Sequence, residues 1–322
     1  MKNPLLHRLL PGLLCLGLAL LPAFALAADK VKVAIGQKGL WDTMITVMAI
    51  DEGFFAKEGL EVEITWTRGG AETLQAVITG SVDFAFANGV LGVIGAYAKG
   101  APVRIVSAQM TGAPDLYWYA KSDSGIKTLA DANGKSMGYS RPGSSTNLVA
   151  LALAKHYKVK PKLVSSGGIS GTRTQVMSNQ VDIGWSVPPF NLDLVADGSI
   201  HIVARGSDVP SLVGQTVRVN VANAEFLKSR RDVAKRFMKV YAQTIDWMYT
   251  NQDASVKRYA EANKIDLAVA KSALAFYPRS GMNVAPISGF DQSMQEAIEN
   301  KRLTAPLSAA QQKELIDIVY TP

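Results

Sequence analysis

Cysteine is almost missing from this 322-residue chain: Cys15 is the only one, and it sits in an N-terminal apolar run that reads as a removable leader. The remainder then has no disulfide framework and no thiol nucleophile. Histidine is nearly as scarce. Beyond His7 there are only His156 and His201, too few for a transition-metal site, so neither a metal nor a cofactor is expected. No G-x-S-x-G elbow, P-loop or strand-borne G-x-G-x-x-G occurs, and nothing invites an enzymatic reading. After residue 27 no stretch is long and apolar enough to span a bilayer, which takes about 20 residues.

The leader itself has the expected three parts. Lys2, His7 and Arg8 are basic, Leu9 to Leu21 is almost purely apolar, and Ala25-Leu26-Ala27 supplies a small-x-small cleavage site. Cleavage is expected between Ala27 and Ala28. A retained anchor is the rival, but the run is short and Pro22 interrupts it; Leu14 before Cys15 does not suit a lipoprotein. Of 34 Lys and Arg, all but Lys2 and Arg8 remain against 27 Asp and Glu, a balance of +5. That surplus is compatible with anionic ligands. The one basic cluster, Lys228-Ser-Arg230-Arg231, reads as a solvated turn, and export argues against nucleic acid.

What is present is an echo. Thr73, Val77, Ile78, Thr79, Val82 and Asp83 return 99 residues later as Thr172, Val176, Met177, Ser178, Val181 and Asp182. Each copy has a Gly-containing turn, a short amphipathic helix, a small or polar stop and an apolar strand after the Asp. Two related α/β units imply two similar lobes with a cleft between them, a place to hold a small molecule.

The local pattern fits. Alternation marks strands at 31–35 and 62–67, while 84–87 reads as a buried strand and 103–109 as a further one, interleaved with helices, the signature of a doubly wound α/β sheet. Asp42 is placed to cap a helix running from Thr43 towards Phe55. Leu116–Tyr119 reads as a strand crossing into a second lobe, and Thr216–Val221 as the return. The division expected is residues 28–115 for the first lobe, 116–212 for the second, and 213–322 for the return strand and C-terminal helices. Ser308 with Gln311 makes a capping box.

In an open α/β sheet, ligands bind beyond the carboxyl ends of the strands. The loops there are Gly36–Trp41, Arg68–Gly70, Ala87–Gly89 and Ser140–Thr146, with Ser170–Thr172 and Ser186–Pro189 as second-lobe counterparts. Ser140-Arg-Pro-Gly-Ser-Ser-Thr146 is the richest. It ends at a helix start, where free N–H groups and the helix dipole favour an anion; the rival is an ordinary capped loop. Arg141 is a candidate partner for a carboxylate or sulfonate, or points into water. Trp41 and Trp185 are candidate walls or core residues, and Gln37 and Asn88 candidate polar orienters. Asp83 and Asp182 read as structural.

Asp51-Glu-Gly-Phe-Phe-Ala-Lys-Glu-Gly-Leu-Glu-Val-Glu63, Leu74…Thr79-Gly-Ser-Val-Asp-Phe-Ala85, Ile126-Lys-Thr-Leu-Ala-Asp131…Gly134-Lys135 and Ala224-Glu-Phe-Leu-Lys together resemble the periplasmic binding proteins of nitrate, sulfonate and taurine ABC importers. The resemblance covers most of the chain after the leader. It implies a type II fold, two α/β lobes joined by a hinge that closes over a ligand, a monomer in the periplasm, and delivery to a membrane permease and ATPase. It also implies ligand contacts at Gln37, Trp41, Gly70, Asn88, Ser144, Ser145 and Thr146; Arg141 and Trp185 are added from position and chemistry. The expected ligand is a small organic anion, a sulfonate or carboxylate, with nitrate disfavoured because a small ion has no use for two Trp rings. The alternatives are a ligand-sensing module for a receptor kinase and a binder of a pyrimidine-like heterocycle. A eukaryotic thiamine-pyrimidine synthase is similar too, but its cysteine-rich motif is missing here.

Overall fold

The structure, a computed structural model, describes residues 27–322. The expected leader lies outside the described residues apart from Ala27. In chain order the strands are β1 (Asp29–Gly36), β2 (Leu60–Thr67), β3 (Phe84–Gly89), β4 (Val103–Thr111), β5 (Tyr117–Lys121), β6 (Ser136–Tyr139), β7 (Lys162–Ser165), β8 (Ile183–Ser186), β9 (Ile200–Arg205) and β10 (Thr216–Asn223). They form two five-stranded sheets with the orders β2-β1-β3-β10-β4 and β7-β6-β8-β5-β9.

The two orders follow one plan. In the first sheet β1 lies parallel to β2 and β3, while β10 runs antiparallel between β3 and β4. In the second, β6 lies parallel to β7 and β8, and β5 runs antiparallel between β8 and β9. Each antiparallel strand is therefore one that has just crossed from the other lobe. Burial follows this placement. The edge strand β2 alternates exposed residues with half-buried ones after Leu60, whereas all eight residues of β10 are buried. Polar residues of β10 are matched on β4: the Arg218 Nε donates to Gln109 Oε1 at 2.9 Å, and Asn220 Nδ2 to Ser107 Oγ at 3.0 Å.

The first six helices are α1 (Ile45–Asp51), α2 (Phe54–Lys57), α3 (Gly70–Ile78), α4 (Val90–Ala98), α5 (Ser145–His156) and α6 (Ile169–Met177). The echoed segments are α3–β3 and α6–β8, and their repeated residues do matching work. Thr73 Oγ1 donates to Gly70 O, and Thr172 Oγ1 to Gly168 O, closing the first turn of each helix. Asp83 Oδ2 accepts the Lys32 N–H on β1 at 2.8 Å; Asp182 Oδ2 accepts the Ser136 N–H on β6, also at 2.8 Å. Each acid thus pins its strand to the central parallel neighbour, β1 or β6.

Helices Arg231–Thr250, Gln252–Asn263, Leu267–Leu274, Phe290–Glu299 and Ala309–Leu315 follow β10. The first covers the outer face of the first sheet. Phe237 stacks on Phe55 and on Phe84, each at 4.7 Å, and Tyr241 meets Phe86 edge-on at 5.0 Å. The Ser308–Gln311 capping box is formed. The basic cluster at 228–231 is more than a solvated turn, because Arg230 pairs with Asp29 and Arg231 with Asp317. Among the described residues no helix is long and apolar enough to cross a membrane.

One local expectation fails. Thr43 to Phe55 is not a single helix capped by Asp42. It is α1 and α2, broken at Gly53 with φ +68°, and α1 starts behind Met44. Asp42 is drawn inward instead, towards Gln109 and Arg218.

The Asp182 pairing carries a pH signature. Burial opposes ionisation, but the Ser136 hydroxyl and N–H together outweigh it and hold the carboxyl below its ordinary value of 3.8. A depressed folded pKa stabilises above the unfolded value, and that stability is lost as pH falls through the folded one. Asp182→Ala is expected to cost about 1–2 kcal/mol at pH 7. The deficit should shrink below pH 4 in urea titrations; an unchanged deficit at pH 3 would refute the pairing.

Candidate functional site

The carboxyl ends of β1, β3, β6 and β8 face a cavity of about 60 Å³ between the two lobes, room for roughly four waters. Its first-lobe wall includes Gln37, Leu40, Asp42, Gly70 and Gly89; its second-lobe wall includes Ser144, Ser145, Thr146, Ile169 and Trp185. Leu116 and Arg218, at the two crossings, complete the floor.

Four helices present their N-termini here. Gly70, Ser145 and Ile169 are the first residues of α3, α5 and α6, and Gly89 precedes α4. First-turn N–H groups have no partner within their helix and carry the positive end of its dipole. The Ser140–Thr146 loop holds the α5 terminus rigidly. Ser144 Oγ caps by accepting from Asn147 N at 3.2 Å, and Thr146 Oγ1 accepts from Ser140 N at 2.8 Å. Gln37 and Ala87, both on the lining, have φ of +55° and +60°, so the ends of β1 and β3 are held in the left-handed region.

Buried charge lies in the floor. Arg218 Nη2 donates to Asp115 Oδ2 at 2.6 Å and lies 3.3 Å from Asp42 Oδ2, and Gln109 Nε2 also donates to Asp42 Oδ2. All three charged residues are at most 5% exposed. Burial pushes the Asp115 carboxyl up to about 6 against the pull of Arg218, and the two carboxylates keep the guanidinium firmly protonated. Asp42 Oδ1 and Trp185 Nε1 are buried with no hydrogen-bond partner, and both residues line the cavity. Each unmet group costs about 1–3 kcal/mol.

Six of the residues expected from sequence therefore meet at one place: Gln37, Gly70, Ser144, Ser145, Thr146 and Trp185. Three do not. Trp41 is fully buried in the first lobe, where its indole N–H donates to Tyr249 Oη at 3.2 Å and its ring meets Tyr259 edge-on at 5.3 Å. Asn88 ends β3 rather than lying in a loop, and its amide is spent on Ala85 O at 2.7 Å and Thr73 Oγ1 at 2.8 Å. Arg141 points away from the cavity to Glu72 on α3, at 2.8 Å. Asp42 and Arg218 are what the sequence reading missed. Arg218 had a signal: an arginine between Val217 and Val219 in an apolar strand must be buried and paired.

Arg141 and Glu72 belong to different lobes, as do Gly143 and Gly92, whose O and N are 3.0 Å apart. The lobes are thus closed on each other.

The family model described as NMT1/THI5 like matches residues 42–255. The chain belongs to that family. A protein of Brucella abortus (strain 2308), assigned by name to binding with no ligand specified, is 27% identical to this NMT1/THI5-like chain over 261 residues, covering 79% of it and 78% of the relative. Among solved structures, the alkanesulfonate-binding protein SsuA of Xanthomonas axonopodis pv. citri, bound to MOPS, superposes with a TM-score of 0.71 at 18% identity, covering 90% of this chain and 96% of that one. The periplasmic nitrate-binding protein NrtA of Synechocystis PCC 6803 gives 0.61 at 15% identity, covering 75% and 68%. These likenesses establish the two-lobed periplasmic-binding-protein fold for the NMT1/THI5-like chain. The relatives are binding proteins by name, not enzymes.

Two substitutions separate closure from contact. A Cβ on Gly89 would lie 2.5 Å from Gly143 O and from Ser145 N, across the lobe boundary, although its φ of −64° is ordinary. Gly89→Ala should therefore keep its thermal midpoint but hold the lobes apart, seen as a larger radius of gyration in X-ray scattering. Arg141→Ala removes a surface ion pair worth at most about 1 kcal/mol, so it should weaken every ligand by the same factor, fivefold at most. A ligand-selective loss on titration would return Arg141 to direct contact.

Proposed function

We propose that this chain is the solute-binding component of an ABC importer, holding a small organic anion between its lobes in the periplasm and delivering it to a membrane permease. The observation that carries this reading is the convergence of four helix N-termini and one buried guanidinium on a single interlobe cavity. Such a set of fixed donors suits a sulfonate or a carboxylate. The guanidinium is that of Arg218, with Nε and Nη2 already committed to Gln109 and Asp115; Arg68 reaches the rim with its own charge exposed and tied to Glu72.

With Trp41 in the core, two indole rings no longer argue against nitrate. What supports an organic guest is the remaining apolar wall, Leu40, Leu116, Ile169, Trp185 and Val187. A hinge motion suits such a site, because only the closed form touches a ligand from both lobes.

Isothermal titration against short alkyl sulfonates, short carboxylates, nitrate and an aminopyrimidine tests this. Binding is expected for at least one sulfonate or carboxylate, with scattering showing a compact envelope in the complex. Binding to nitrate alone, or to the heterocycle alone, would overturn the organic-anion reading.

A further inference from the structure

We infer that the lobe boundary carries a second anion site, in which Arg302 and Lys99 take the head of an alkyl carboxylate and the α3–α4 surface takes its chain. This goes beyond the reading of the central cavity and does not depend on what fills it.

A groove of about 520 Å³ lies beside that cavity. The two share only Gly70, Gly89 and Ser144 in their walls. They stand back to back, because the backbone at Gly89 is already packed against Gly143 and Ser145. The first-lobe side of the groove is apolar, with Leu74 and Ile78 from α3, Ala96 from α4, and Pro102. Pro142 and Gly143 close it from the second lobe. Its charged residues are Lys99 and Arg302, and no carboxylate joins them.

Arg302 is the residue that marks this groove as a site. Its stem lies along α4 where Gly95 has no side chain: Cβ and Cδ are 3.4 and 3.6 Å from the point a Gly95 Cβ would take. The guanidinium carbon then reaches the second lobe, 3.7 Å from the corresponding point on Gly143. The other described arginines are all matched. They pair with Asp or Glu, except Arg205, which lies 4.7 Å over the Phe276 ring. Among the described residues Arg302 has no such partner, and its half-buried guanidinium keeps its N–H donors unspent beside an apolar wall.

That pairing of groups defines the occupant. A planar guanidinium matches a carboxylate through two parallel hydrogen bonds. The wall behind it suits hydrocarbon, each buried methylene adding to affinity. A bare inorganic anion uses the head of the site and leaves the wall empty. Since the walls come from both lobes, the whole site exists only when they are closed, and an occupant favours closure by its differential affinity.

Hexanoate, propionate and sulfate titrated into the full protein test this, followed by heteronuclear NMR with two reporters. The Arg302 Nε–H reports on the groove and the Trp185 indole N–H on the central cavity. Hexanoate should shift the Arg302 signal saturably and bind there about tenfold tighter than propionate, with sulfate weaker still. Arg302→Ala should abolish the accompanying shift of the Lys99 amide. Ala101→Phe, which fills the groove and keeps the arginine, should weaken hexanoate at least about fivefold. A response confined to Trp185, or none at all, would overturn the second site. So would sulfate binding as tightly as hexanoate, which would reduce Arg302 to a bare surface cation, or an undiminished Lys99 shift in both variants. Each of these results leaves the central cavity to its own titration, so the two readings fail separately.

Discussion

One guanidinium holds together the places where the chain changes lobes. Arg218 sits on β10, the returning strand; Asp115 lies on the outgoing crossing before β5; Gln109 is on β4 and Asp42 follows β1. These residues are far apart in sequence and meet only because β10 inserts between β3 and β4. An ion cluster this deeply buried is a poor way to gain stability, since the desolvation of three charges offsets most of their attraction, and apolar replacements of equal volume often do as well. What such a cluster supplies is definition. Both crossings are thereby fixed to the floor of the cleft, at the base of the cavity.

The lobes themselves are variations on one pattern, and the variation matters. Each sheet has four strands running one way and one antiparallel strand that has just crossed over; the second is built by the unbroken run β5 to β9, whereas the first is completed only when β10 returns. The echoed acid, Asp83 or Asp182, sits where the repeat turns from helix to strand and stitches that strand to its neighbour β1 or β6. Strand ends are thereby set at matched heights in both halves, and the loops beyond them face each other across the gap. Gly89 and Gly92 bring the first lobe close enough for its backbone to meet the second at Gly143.

Much of this architecture was legible in the amino acids alone, because it is written in local periods. The alternating strands, the Gly stops, the repeat at a spacing of 99 and the Ser144 cap all depend on near neighbours. The cavity was half legible for the same reason: Gln37, Gly70, Ser144 to Thr146 and Trp185 follow from knowing where strands end. The failures share another cause. Trp41 turns to the core because Tyr249 and Tyr259 wait there, about 200 residues later, and nothing near Trp41 announces them. Arg141 leaves the cavity for Glu72 on the opposite lobe, a contact that exists only between lobes. Asp42, well placed to cap a helix by local rules, is claimed by long-range partners whose combined pull exceeds the roughly 1 kcal/mol of a cap.

Closure is balanced on small numbers. The Glu72–Arg141 pair is exposed and contributes at most about 1 kcal/mol, and the Gly92–Gly143 hydrogen bond adds a similar amount. Contacts this weak bias the lobes towards each other without locking them shut, and the differential affinity of a ligand for the closed form supplies the larger shift in population.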